Sequence, residues 1–263
     1  MNSTENYFKR RVLYGFVFTY LLIKKFRNSK YETMKLGSSY SEWNFHESTN
    51  LERSSILSCG VGEDISFELE FAAKYAAKVY FVDPTERAIN HVLKTIERCG
   101  ERNEMQYSDS GFQDVRAYDL SNIEASQLIL FPFAVYDQEC QAKFYSPTDS
   151  SHVSFTLEGE LMGTKGNDYV YVQTIRIPTL VKHIDGKFNI LKMDIEGVAI
   201  KVLNDILKNG TYFKQILVEF EELKHLNLKR LINFIKIHKK LEECDYILIK
   251  VKSKLNFTYL RKI

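Results

Sequence analysis

The sequence predicts an α/β protein whose mostly parallel sheet is covered by helices on both faces, closed by an antiparallel pair of strands and preceded by a helical extension. Three observations predict it. Short apolar runs alternate with segments whose apolar residues recur at helical spacing. The runs are apolar throughout, as strands buried on both faces are. The tail, "DYILIKVKS" then "NFTYLRK", reads as two strands joined by a short turn, hence antiparallel.

The elements follow in order. Residues 1–48 form an extension and lead-in. In "YFKRRVLYGFVFTYLLIKKFRN" an apolar run, Val12 to Ile23, lies between Lys9–Arg11 and Lys24–Arg27. A bilayer-spanning helix needs about 20 apolar residues, so the run is too short to cross. No small-x-small cleavage site follows it. It reads as a helix packed on the domain or on a second subunit; the alternative is a helix lying on an anionic membrane surface through residues 7–27. "KLGSSYSEWNFH" holds the only Trp and reads as an ordered loop leading into a domain over residues 49–263. There "SSILSC" is a buried strand, and Ile65, Leu69, Ala72 and Ala76 mark a helix. "KVYFVD" is a second strand, followed by a helix on Ile89, Val92, Leu93 and Ile96. "QLILFPFAVYD", "QAKFYSP" and "YVYVQTIRIPTL" read as strands, and the polar "TDSSHVSFTLEGELMGTKGND" as a loop near the site. "FNILKMD" is a strand before a helix on Ala199, Val202, Leu203 and Ile206, which Gly210 can end. "QILVEF" is another strand, before a helix on Leu228, Leu231, Ile232 and Ile235.

A net charge of +2 is too mild to imply a nucleic-acid partner. Four cysteines without metal-ligand spacing favour reduced thiols in a cytoplasmic protein, peripheral to a membrane if the N-terminal helix touches one.

The chemistry begins at "ILSCGVGED". In a strand–turn–helix unit, Gly60 and Gly62 let the backbone approach a ligand closely, and the helix N-terminus offers N–H groups. Asp83 ends the next strand, where a carboxylate can accept from both ribose hydroxyls of an adenosine. The structural alternative is a tight turn with Asp83 as a helix N-cap ahead of Pro84. Ile65 stands where a dinucleotide fingerprint has its third glycine, and Glu63 and Asp64 at the helix start would repel a pyrophosphate. They suit a ligand with a positive centre and an amino group, which S-adenosylmethionine has. Tyr-x-x-x-Lys pairs of dehydrogenase type at Tyr20/Lys24 and Tyr246/Lys250 are misplaced for a nicotinamide enzyme.

Together "SCGVGEDISFE", "VYFVDPTERAI", "FPFAVYDQECQAKFYSP", "HVSFT", "VQTIRIPTL" and "LKMDIEGVAIKVLNDIL" resemble the FkbM family of S-adenosylmethionine-dependent O-methyltransferases, from about Lys35 to about Glu222. The resemblance implies the seven-stranded, Rossmann-like methyltransferase sheet. It implies an acceptor hydroxyl on a carbohydrate, such as a nucleotide-activated sugar or glycan precursor of a bacterial surface polysaccharide. It puts the methionine part of the donor at Cys59, Gly60 and Gly62, with Glu63 or Asp64 near its amino group. Asp83 would hold the ribose, Pro84 would border the adenine, and Phe133 and Ala134 would lie on the adenine side. Two positions depart from the family: Phe155, where a polar residue is frequent, and Glu221, where His is frequent.

A neutral hydroxyl needs help to lose its proton. Asp194, at the carboxyl edge of "LKMD", is the first candidate for base, and Lys192, on the same strand, could orient it or bind a phosphate. The bland reading of Lys192 and Asp194 is an ion pair with each other. Glu219 is a second carboxylate. With Asp194 it makes a divalent metal conceivable, but no third ligand is evident, so no metal residues are assigned. His152 is the alternative base. Competing functions are methylation of a natural product, protein or nucleic acid, and a non-catalytic donor-binding partner subunit. A homo-oligomer is compatible with either.

Overall fold

The computed structural model describes residues 12, 15–16, 19–20, 30–48, 51–146, 155–157, 168–184, 188–224, 227–253 and 255–262. Its centre is a seven-stranded sheet. In chain order the strands are β3 (Ser55–Cys59), β4 (Lys78–Val82), β5 (Leu128–Phe131), β9 (Phe188–Met193), β10 (Gln215–Glu219), β11 (Tyr246–Val251) and β12 (Asn256–Arg261). Across the sheet the order is β11-β12-β10-β9-β3-β4-β5. The β10-β9, β9-β3, β3-β4 and β4-β5 pairs are parallel, and β12 runs antiparallel to both β10 and β11. The chain direction across the sheet therefore reverses between β3 and β9. Ligands of open α/β sheets bind outside the carboxyl ends of the strands at such a switch point.

β3 and β9 are buried along their whole length, and their alternate residues feed two separate cores. Leu57, Cys59, Leu191 and Met193 face α3 (Ile177–His183), α4 (Ala199–Lys208) and α5 (Leu228–Glu243). Ile56 and Ile190 face α1 (Ser66–Tyr75) and α2 (Glu86–Glu97) on the other side. Helices on both faces explain why these strands are apolar throughout rather than alternating.

Three expectations change. The lead-in is not only a loop: β1 (Met34–Leu36) and β2 (Trp43–Phe45) pair antiparallel around the turn at Gly37–Glu42. Phe45 is fully buried and meets the rings of Phe67, Phe71 and Tyr75 edge-on, at 6.2, 5.5 and 6.1 Å between centroids. Such pairs contribute about 0.5–1.5 kcal/mol each beyond burial. Gln215 of β10 also exchanges two 2.7 Å hydrogen bonds with the His46 backbone, so the lead-in is packed into the domain. Second, "QLILFPFAVYD" is broken. β5 ends at Phe131, and β6 (Ala134–Val135) belongs to a separate three-stranded sheet, β6-β8-β7, with β7 (Gln141–Tyr145) and β8 (Tyr169–Ile175). Pro132, with no N–H for a ladder, stands at the break. Third, "YVYVQTIRIPTL" is a strand only to Ile175. Arg176 is the N-cap of α3, and Pro178 sits in its first turn, where its missing N–H costs nothing.

The ends of α1 and α4 follow the expected chemistry with small shifts. Ala76 closes α1 in the left-handed conformation, and Gly210 (φ 64°) follows Asn209, the C-cap of α4. Of the N-terminal extension, the described residues 12, 15–16 and 19–20 are helical, and Tyr20 meets His238 of α5 edge-on at 5.5 Å. No helix among the described residues is long and apolar enough to cross a membrane.

Candidate active site

At the switch point β3 ends in a turn held from both sides. The Gly60 N–H donates to the Val82 carbonyl (3.1 Å), and the Asp194 N–H donates to the Cys59 carbonyl (2.9 Å). Gly60 has φ 74°, and a Cβ there would lie 1.8 Å from the Asp194 carbonyl oxygen. The end of β9 thus crosses so close that only glycine fits. Gly62 also has a positive φ, 63°, but a Cβ there would meet nothing within 4 Å. The first glycine is required by the protein's own packing. The second borders open space.

Asp83 is buried and holds this turn. Its Oδ2 accepts from the Val61 N–H (2.8 Å) and, at longer range, the Gly62 N–H (3.3 Å). Its Oδ1 accepts from the N–H (2.9 Å) and hydroxyl (2.6 Å) of Thr85. Thr85, not Asp83, is the N-cap of α2: its side chain accepts from the Ala88 N–H, and Pro84 stands before it, outside the helix. The acids after the turn have partners too. Glu63 pairs with Arg87. Asp64 accepts from the Ser38 hydroxyl (2.6 Å), the Ser66 N–H (3.1 Å) and Gln113 Nε2 (3.1 Å). Asp64 therefore covers the start of α1 and ties the lead-in turn to it.

Around this turn opens a cavity of about 460 Å³, within the range of small-molecule sites. Gly60, Gly62, Glu63, Asp64, Asp83, Pro84, Ala134, Lys192, Asp194 and Glu219 all line it. Cys59 and Phe133 are not among its lining residues. The Cys59 side chain lies in the core, where burial pushes its thiol pKa far above the ordinary range. Phe133 packs against the same core. His152 lies outside the described residues.

Lys192 has a different partner from the one expected. It is 2 % exposed, its Nζ is 2.9 Å from Glu68 Oε1 of α1, and it stands 5.4 Å over the Trp43 ring. The same Glu68 oxygen accepts from the Ser58 hydroxyl at 2.5 Å. Burial pulls the Lys192 pKa down, but the Glu68 and Asp194 carboxylates outweigh it and hold the ammonium charged. Nζ also lies 3.5 Å from the Gly60 carbonyl, so Lys192 braces the turn from beneath. The ion pair is with Glu68, not Asp194.

The far wall joins residues distant in sequence: Asp194, Glu196, Glu219, Glu221 and Lys224, with Asn256 donating to Glu219 Oε2 at 3.0 Å. Burial, then Glu219 and Glu196, push the Asp194 pKa up to about 8. Burial, with the adjoining Glu219 and Glu196, pushes Glu221 up to about 9, even though it pairs with Lys224. Phe155 stacks on Phe144 at 5.4 Å, and the Thr156 hydroxyl donates to the Glu196 carbonyl at 2.7 Å, bringing this segment over the cavity. Among the described residues no three His, Cys, Asp or Glu are arranged to hold a metal ion.

Sequence reasoning missed Glu68 and the lead-in turn as parts of the site, and named Glu221 only as a departure from the family pattern. Glu68 had a visible signal, since it lies on the apolar stripe of α1 between Ile65 and Leu69. Tyr40 had none: it packs against Gly111, where a Cβ would come within 2.8 Å of its ring.

A doubly wound sheet closed by a reversed hairpin, with a small-molecule cavity over its switch point, defines the Rossmann-like methyltransferase class. The sequence matches the methyltransferase FkbM domain over residues 4–248, nearly the whole chain, and the protein belongs to that family. The family implies S-adenosylmethionine as methyl donor. No curated protein matches the sequence at a significant level. Among solved structures, fibrillarin, a pre-rRNA processing protein of Methanococcus jannaschii, is similar at 12% identity and a TM-score of 0.40, over 88% of this chain and 83% of that one.

Proposed function

We propose that the protein transfers the methyl group of S-adenosylmethionine to a hydroxyl of a carbohydrate, the donor on the glycine turn and the acceptor against the carboxyl wall. The observation that carries the donor half is Asp83. Its Oδ2 grips the Val61 N–H firmly and the Gly62 N–H loosely, beside open space at Gly62. A ribose hydroxyl can replace the long Gly62 bond without releasing the turn. Three charged partners of the cavity are fixed internally: Glu63 by Arg87, Lys192 by Glu68, and Lys252 by Glu42. They shape the site and leave the far wall to contact the acceptor.

When bound, the donor supplies a methyl carbon on a positive sulfur, already a good electrophile. The chain's task is to align the acceptor and remove its proton. Asp194, partly exposed at the cavity edge and titrating near 8, is a stronger base than an ordinary carboxylate and is matched to a proton leaving near neutral pH. As the acceptor oxygen bonds the methyl carbon, the carbon–sulfur bond breaks, sulfur keeps the electron pair and Asp194 takes the proton. Eight carboxyl-bearing residues and three lysines line the cavity, which disfavours a phosphate near the reacting end. A nucleotide-activated sugar would have to keep its diphosphate outside that wall.

Calorimetric titration with S-adenosylmethionine and S-adenosylhomocysteine, comparing the native protein with Asp83→Ala, tests the donor half. Micromolar binding that Asp83→Ala weakens at least tenfold is expected. A folded native protein that binds neither ligand would refute the reading.

A further inference from the structure

The charge of the chain is segregated. Residues 6–31 and 228–241 hold twelve of its 36 Lys and Arg and none of its 34 Asp and Glu, so the remainder is net acidic. The fold brings these two segments together, since Tyr20 of the extension meets His238 of α5 edge-on. On the extension Val12, Gly15, Phe16 and Thr19 are all exposed, Phe16 at 69% and Val12 at 42%. Their spacing, i, i+3, i+4, i+7, is one helix face. On α5, Leu228 is 62% and Ile232 42% exposed, among the exposed Lys229, Lys236, Lys239 and Lys240. Leu228, Ile232 and Lys239 share a stripe about a quarter turn round the helix from His238. The other flank of His238 is taken by the core residues Phe234, Ile237 and Leu241. The extension therefore lies between the core edge and this apolar and basic stripe.

Lysines alone would make a solvated face. Four large apolar side chains among them suit a partner that is both anionic and apolar. A nucleic-acid backbone offers the charge without apolar depth. A second copy docked through the same face would oppose like charges. An anionic bilayer surface offers both, phosphate headgroups above acyl chains. No helix among the described residues is long and apolar enough to cross a membrane, so the extension would lie in the interface plane. We propose that the extension and α5 together dock the protein on an anionic membrane surface. Val12, Phe16, Leu228 and Ile232 enter the headgroup region, and the lysines of α5 meet the lipid phosphates. The acidic remainder of the chain is repelled, which fixes the face that docks. Docking is independent of what the cavity does.

The test is flotation of the full chain with lipid vesicles. Vesicles of phosphatidylcholine with about 30% phosphatidylglycerol should capture it, and capture should be about tenfold weaker with pure phosphatidylcholine or in high salt. The double variant Phe16→Ser/Ile232→Ser should weaken capture about tenfold by removing apolar burial. Lys236→Glu/Lys239→Glu should abolish the preference for the anionic lipid. All four positions are exposed, so circular dichroism and the urea midpoint should stay at the native values in both variants. No capture, equal capture by both kinds of vesicle, or capture that charge reversal abolishes and Phe16→Ser/Ile232→Ser leaves untouched would overturn the proposal. A dimer in light scattering that Phe16→Ser/Ile232→Ser dissolves, without vesicle capture, would overturn it in favour of a second copy. Retention on duplex DNA without vesicle capture would overturn it in favour of nucleic acid.

Discussion

Alanine at Gly60 and alanine at Gly62 separate two reasons for a glycine within one turn. Both residues have positive φ, 74° and 63°, so either alanine places an L residue in left-handed backbone, at about 1–2 kcal/mol. For Gly62→Ala that is the whole expected loss of stability, because nothing lies within 4 Å of the added methyl. In Gly60→Ala the methyl also meets the Asp194 carbonyl at 1.8 Å, and backbone cannot swing away as a side chain can. The ends of β3 and β9 must separate, breaking the 2.9 Å bond between the Asp194 N–H and the Cys59 carbonyl. Strain plus a broken buried bond gives a loss of about 4 kcal/mol or more, at the upper end for single substitutions. Urea denaturation monitored by circular dichroism measures both losses. S-adenosylhomocysteine titration adds a second axis: Gly62→Ala, on the open face, should weaken binding more than its small stability loss suggests. Equal midpoints for the two variants, within the error of the fit, would refute the close approach of β9.

Lys192→Met should destabilise by about 3–5 kcal/mol by stranding Glu68 in the core, and adding Glu68→Gln should recover most of that in the same urea assay. Asp194 and Glu221 titrate near 8 and 9 in the fold, above ordinary carboxyls, so the folded chain binds more protons than the unfolded one between about pH 4 and those values. Stability must therefore fall as pH rises through that window, by up to about 1.4 kcal/mol per pH unit for each group. A Tm profile from pH 5 to 9 that is flat, or as steep in the Asp194→Asn/Glu221→Gln double variant, would contradict it. Methyl transfer should accelerate as pH rises towards 8, where Asp194 loses its proton, and Asp194→Asn should abolish that rise. A thiol reagent should label exposed Cys140 within minutes and buried Cys59 only when the protein unfolds, as mass spectrometry of the labelled peptides would show.

Much of the glycine-turn side of the cavity was legible because its parts lie close in sequence. Gly60, Gly62 and Asp83 belong to one strand–helix–strand unit, whose period and glycine spacing are local signals. The closing hairpin was legible for the same reason. Elsewhere local patterns misled. "IRIPTL" is apolar enough for a strand, yet Pro178 favours a helix start once Arg176 caps it. β6 continues the apolar run of β5 but pairs in another sheet, a choice made by tertiary contacts. Lys192 read as a functional cation because its strand leads to Asp194; Glu68, which neutralises it, sits 124 positions earlier on a helix. Cys59 follows the same logic, since alternation along β3 turns its side chain into the core below the turn.

The two sides of the cavity are built differently. The glycine-turn side, where the donor is proposed to bind, is backbone: two glycines in left-handed conformation, amide N–H groups held by Asp83, and a carbonyl braced by Lys192. Side-chain substitution can break it but offers little room to retune it. The other side, where the acceptor is proposed to bind, is side chains from four separate segments, represented by Phe155, Glu196, Glu221 and Asn256, whose neighbours in sequence do not line up by any local period. Phe155 and Glu221, the two positions singled out in the sequence as unlike the family pattern, both line the cavity there. Stacked on Phe144, Phe155 adds an apolar ring to the cavity lining, and Glu221 adds a carboxyl to the same lining. An apolar ring face and a carboxyl in one cavity suit a sugar, which has both an apolar ring face and hydroxyl donors. Exchanging those two residues alone, with the glycine turn untouched, should then change which acceptor is methylated without changing donor affinity.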